Sequence, residues 1–170
     1  MIANASIAYA AYYLHNSVMN DRSKAVSPAK KVRETSVGWM LKVLCTSLDE
    51  KMNKEMKRLD LNIAQFAVLM SLSETEGLTQ VEIGKKINMP GYATTRTIDA
   101  LEKVQFVERK KDDRSRRSYR IYLTEQGRKI VPQLFVVVKK VNTQLLSTLT
   151  LTEKKQLNKI LNKIVHAKFE

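Results

Sequence analysis

Apolar positions recur every three or four residues along most of this chain and shift to every second residue around one short stretch. Val37, Leu41, Leu44, Leu48, Met52, Met56 and Leu59 follow the longer period, which predicts one long amphipathic helix. Asn62 is placed to cap a second, bearing Ile63, Phe66, Ala67, Leu69, Met70 and Leu72. Thr79 is a good N-cap for a short helix with Val81, Ile83, Gly84 and Ile87 toward one side. Asn88-Met89-Pro90-Gly91 then breaks that helix and turns the chain. Ala93 to Val104 reads as a further helix whose buried stripe is Thr94, Ile98, Leu101 and Val104. Alternation takes over at Phe106-Val107-Glu108 and returns at Tyr119–Leu123, predicting two short strands. Beyond them, Thr124 caps a helix with Ile130, Leu134, Val137, Val138, Val141 and Leu145, which Pro132 is expected to kink. Thr152 is expected to cap a last helix bearing Leu157, Ile160, Leu161, Ile164 and Val165.

The segment between the two strands changes the picture. Arg109 to Arg120 holds seven basic and two acidic residues, so it reads as the tip of a hairpin that would repel itself on an ordinary surface. It is either a solvated turn or a tip that meets a polyanion, such as the minor groove of a duplex. Helix, tight turn, helix and basic hairpin is the order of a winged helix-turn-helix. The predicted fold is therefore mainly α with a small β-hairpin wing. In it the helix from Ala93 would enter a major groove, with Tyr92, Ala93, Thr95, Arg96 and Asp99 facing outward.

These segments resemble the MarR-type transcriptional regulators. The family's wing pattern, R-x-x-D-x-x-D-R-R-x-x-x-apolar-x-L-T-x-x-G, is matched by Arg109, Asp112, Arg116, Arg117, Ile121, Leu123, Thr124 and Gly127. Its reader-helix pattern, T-R-x-apolar-D-x-L-E, is matched by Thr95, Arg96, Ile98, Asp99, Leu101 and Glu102. The resemblance runs from about Val37 to the C-terminus. Two positions depart from it: Ser115 stands where an aspartate usually pairs with a wing arginine, and Gln105 replaces a common glycine. The resemblance implies a dimeric, double-stranded-DNA-binding repressor of a palindromic operator, released by an effector that is often a small aromatic or phenolic compound. DNA contacts are expected from Tyr92, Ala93, Thr95 and Arg96 on the reader and from Arg114, Ser115, Arg116 and Arg117 on the wing. Thr79, Gln80 and Lys103 are expected at the DNA backbone.

Composition supports this without deciding it. The net charge is +13, and residues 79–123 carry eleven basic against six acidic groups. Such a protein binds polyanions by counterion release, though charge alone would also suit a membrane surface or a ribosomal site. No apolar run approaches the ~20 residues that span a bilayer. The lone Cys45 rules out an intrachain disulfide and fits a reducing cytoplasm. Some relatives sense oxidants through a cysteine in this helix, but Cys45 lies about two turns inside, with Lys42 its nearest cation and Asp49 opposing a thiolate. A buried structural cysteine is the expectation.

Residues 1–31 form an extension, helical or disordered, unless Met19 is a natural start. Residues 63–123 form the DNA-binding region. Residues 32–62 and 124–170 form helices whose apolar surplus suggests that they bury one another across a two-fold axis. His15 and His166 have no cysteine or carboxylate cluster beside them, so neither metal ligation nor Ser-His-Asp chemistry is expected. No phosphate-cradling glycine loop occurs, and no cofactor is predicted. Two function classes remain: a sequence-specific regulator, and a winged-helix module that binds protein or holds nucleic acid without reading it.

Overall fold

Side-chain caps set most of the helix starts. In the computed structural model, which describes residues 27–112 and 115–167, Ser27 accepts from the Lys30 amide at 3.2 Å and opens α1, Pro28–Thr35. Ser36 accepts from the Trp39 amide at the start of α2, Val37–Lys57. Asn62 and Gln65 cap each other's backbone reciprocally and open α3, Ile63–Glu74. The strand β1, Leu78–Thr79, leads into α4, Gln80–Lys86, through the same device between Thr79 and Glu82. The helix α5, Gly91–Lys103, has no side-chain cap and starts two residues earlier than expected, because Pro90 already holds φ at −57°. After β2, Val107–Asp112, and β3, Ser115–Leu123, Thr124 accepts from the Gly127 amide and opens α6, Glu125–Leu145. α7, Leu151–Val165, is capped by Thr150 rather than Thr152. Only Thr150 has a glutamate three residues on, Glu153, whose carboxylate accepts from the Thr150 amide at 2.7 Å.

The three strands form an antiparallel sheet in the order β1-β3-β2. The register runs from Val107↔Leu123 to Lys111↔Tyr119, then shifts so that Asp112 faces Ser115. Both arms therefore reach well into the charged run that alternation had assigned to the tip. A ladder needs only backbone pairing, and its outer face tolerates charge. The strand β1 had no forecast, since two residues are too few to show a period.

The described residues form two compact units that divide between Leu44 and Cys45. In the first, Arg33 lies over the Trp39 ring, 5.6 Å from its centroid, and Val37, Leu41 and Leu44 are exposed. The core of the second is built from Met56 of α2, Leu69 and Leu72 of α3, Ile83 of α4, Ile98 and Leu101 of α5, Ile121 of β3 and Leu134 of α6. The forecast stripe of α2 is thus buried only from Met52 onward.

Three expected core positions differ. Val81 is exposed, because a two-turn helix has a narrow inward arc that Ile83 and Gly84 fill, and Val81 lies about 200° from Ile83. Val104 is exposed because it ends α5 as its C-cap. Cys45 is exposed rather than buried, one turn before Leu48, where α2 begins to pack against the core. α6 continues through Pro132. α7 buries no residue at all: Leu151, Ile160, Leu161, Ile164 and Val165 all remain exposed.

Candidate nucleic-acid interface

Close approach at one glycine seats α5 against α4. A Cβ at Gly84 would lie 2.9 Å from the Thr94 hydroxyl and 3.0 Å from the Met89 carbonyl, so any side chain there would push the two helices apart. Thr94 is fully buried, and its hydroxyl donates to the Pro90 carbonyl at 3.1 Å. With Thr94, Ile98 and Leu101 turned inward, α5 presents the opposite face.

On that face Tyr92 is 74% exposed. Arg96 is exposed and meets no partner among the described residues. Ala93 and Thr95 are half-buried, and the Thr95 hydroxyl is already engaged. It donates to the Gly91 carbonyl at 3.0 Å and accepts from the Gln80 amide nitrogen at 3.1 Å. Asp99, expected to face outward freely, is held by Arg109. Thr79 is occupied in its cap with Glu82, whose carboxyl is pulled below the usual carboxylate range, chiefly by the Thr79 backbone N–H. Lys103 is exposed at the end of α5.

The wing divides into an anchored base and a basic outer part. Arg109 belongs to the base, although it had been grouped with the tip. Its side chain is 18% exposed, and its guanidinium meets Asp99 at 2.5 Å, the Gln80 carbonyl oxygen at 2.9 Å and the Glu102 carboxylate. Arg120, half-buried on the other face of β3, is engaged as well. It pairs with Asp112 at 3.0 Å and donates to the Gly77 carbonyl at 2.7 Å. The Asp112 hydrogen bond raises the Arg120 pKa above its ordinary value. Ser115 stands in the place of the usual pairing aspartate, and Asp112 of the same wing pairs with Arg120.

Lys110 and Lys111 are exposed on β2, Lys110 pairing with Glu108 at 2.9 Å and lying over the Tyr122 ring. Neither lysine was among the expected contacts, although each lies in the basic run that drew attention to the wing. Ser115, Arg116 and Arg117 stand on β3, but their side chains lie outside the described part, and Arg114 lies outside the described residues altogether. His15 lies outside them too, and His166 is exposed just past α7.

Comparison with known proteins agrees with this architecture. A family model described as the MarR family matches residues 61–119, the stretch from the end of α2 to the wing. An uncharacterised HTH-type transcriptional regulator of Bacillus cereus is 33% identical over 100 residues, or 56% of this chain and 66% of that one, just under two thirds of its length. The transcriptional repressor MprA of Escherichia coli is 30% identical over 132 residues, or 74% of this chain and 75% of the repressor. Among solved structures, mutant MarR from E. coli complexed with operator DNA superposes with a TM-score of 0.69. It is 28% identical and the match covers 78% of this chain and 96% of that one. The fold, the two matched motifs and the relative aligned over three quarters of its length agree: this chain belongs to the MarR family of winged helix-turn-helix transcriptional regulators.

Proposed function

We propose that this protein is a sequence-specific DNA-binding regulator that acts as a homodimer on a palindromic operator and represses until a small aromatic or phenolic effector releases it. The observation that carries the reading is Arg96, an exposed guanidinium with no partner among the described residues, on the outward face of α5. A guanidinium there suits the two acceptors of a guanine edge. Tyr92 beside it offers apolar contact to a thymine methyl group, and Lys103, Lys110 and Lys111 add sequence-independent phosphate attraction.

The uncovered stripe of α7 supports the dimer, since an amphipathic helix that buries nothing against its own chain is poorly stabilised alone. The exposed first half of α2 offers a second such stripe. A dimer of this kind places two readers about one duplex turn apart, ~34–36 Å, and so demands a two-fold sequence. No helix among the described residues is long and apolar enough to cross a membrane, which fits a regulator that meets DNA in the cytoplasm.

Selection of bound duplexes from a random library, followed by footprinting, tests this. A palindrome preferred over bulk DNA by about a thousandfold or more is expected. Binding without preference would instead make the chain a winged-helix module that does not read sequence.

A further inference from the structure

Arg109 joins the wing to both helices of the reading module through side-chain hydrogen bonds, and its orientation follows from strand parity. Counting in twos from the buried Val107 puts Arg109 on the inner face of β2, opposite the fully buried Ile121. From there its guanidinium takes the Asp99 and Glu102 carboxylates of α5 and, at 2.9 Å, the Gln80 side-chain oxygen of α4. The other end of the same Gln80 amide donates to Thr95 at 3.1 Å. A continuous polar chain thus runs from the wing strand through the first helix to the reader, ending one residue before Arg96.

We infer that Arg109 is a specificity-determining positioning residue: it fixes the angle and depth of α5 relative to the wing, so that Arg96 and Tyr92 meet base edges in register. The inference rests on the DNA-reading function proposed above. The planar fork is essential to it, because two carboxylates and an amide oxygen are held at once by donors in one plane. Lysine carries its donors on one tetrahedral nitrogen and does not reproduce the spacing of the two guanidinium nitrogens that hold these three acceptors. Arg109 also neutralises two carboxylates on the DNA-facing helix that would otherwise repel phosphate. By the same geometry Gln80, expected at the DNA backbone, is a relay between Arg109 and Thr95.

The test compares wild type, Arg109→Lys and Gln80→Leu on two probes: the palindrome that the wild type selects and a scrambled duplex of equal length. Arg109→Lys keeps the charge, and Gln80→Leu removes the relay without removing an ion pair. With melting temperatures checked for each, the preference for palindrome over scrambled duplex is expected to fall about tenfold in Arg109→Lys and severalfold in Gln80→Leu. Scrambled-duplex binding is expected to stay within about twofold, since phosphate attraction is unchanged. In the free proteins, amide exchange at Thr95 to Asp99 should be faster in both variants. Equal losses on the two duplexes would show that Arg109 acts only through charge or stability and would overturn the inference. Unaltered preference in both variants would overturn it as well, and faster exchange alone would then leave only a structural bridge. If the wild type selects no sequence, the reading function fails and this inference with it.

Discussion

Arg120 reaches along β3 to grip Asp112 at 3.0 Å, beside the point where the wing register shifts. The Asp112 side chain is only 8% exposed, so this pair ties the outer end of β2 to β3, and Arg116 and Arg117 lie further along β3 toward the tip. Neutralising both as Arg116→Gln and Arg117→Gln is expected to weaken binding to operator and to bulk DNA alike. The slope of log affinity against log salt should flatten by ~1 for each phosphate that is no longer neutralised. An unchanged slope with reduced affinity would assign these residues another role.

Arg96 carries the opposite expectation. Arg96→Ala is expected to lower operator affinity by ~1–3 kcal/mol, with relaxed preference at one base position and an unaltered melting curve. Because Asp99 and Glu102 are both taken by Arg109, no intrahelical ion pair disappears with it. Titration calorimetry against operators varied one base at a time would locate that position.

Gly127 is a stability site. It lies in the first turn of α6, and a Cβ there would run into the Phe106 carbonyl oxygen, which also accepts from the Thr124 amide at 3.1 Å. Backbone cannot swing aside as a flexible side chain can. Gly127→Ala is expected to destabilise by about 3 kcal/mol or more, seen as a large drop in denaturation midpoint. A loss below about 1 kcal/mol would mean that the junction yields easily.

The two Thr/Glu capping boxes predict an acid limb. Glu82 and Glu153 each accept from a threonine backbone N–H, and each carboxyl is depressed below its ordinary value mainly by that bond. A depressed carboxyl contributes stability that is complete above its unfolded value and disappears as pH falls through the lower folded one. The melting temperature of Glu82→Gln/Glu153→Gln should therefore vary less with pH than that of wild type across that acidic window. Parallel curves would place the acid sensitivity elsewhere.

Helix α7 predicts an assembly effect. Ile160→Glu/Ile164→Glu places charge on its uncovered stripe, and sedimentation is expected to report a monomer that retains its helical circular dichroism. A dimer unchanged by both substitutions would move the interface to another surface.

Much of this was legible in the sequence, and the residues show why some was not. Asn62-x-x-Gln65 and Thr79-x-x-Glu82 are local signals, and each helix starts where they put it. Thr150-x-x-Glu153 is an equally local signal, and Thr152 two residues later competes with it as a cap in sequence alone. The inward turn of Arg109 was written in its parity with Val107, but the basic run around it drowned that signal. The exposure of Val37, Leu41, Leu44 and Cys45 had no local signature, because periodicity marks an apolar face without saying what covers it. The strand β1 and its pairing of Leu78 with Ile121 depend on residues far apart in the chain, which no short window contains.

The middle strand of the sheet is the last of the three in sequence. During synthesis Leu78 and Val107 both leave the ribosome before Ile121 and Leu123, the partners that complete their ladders, exist. The reader helix is likewise finished before Arg109, the side chain that will hold it. Helices of this protein can form as they emerge, but its sheet is a late, long-range closure. A nascent chain that stops short of β3 has every residue of the reader and no wing to set it against.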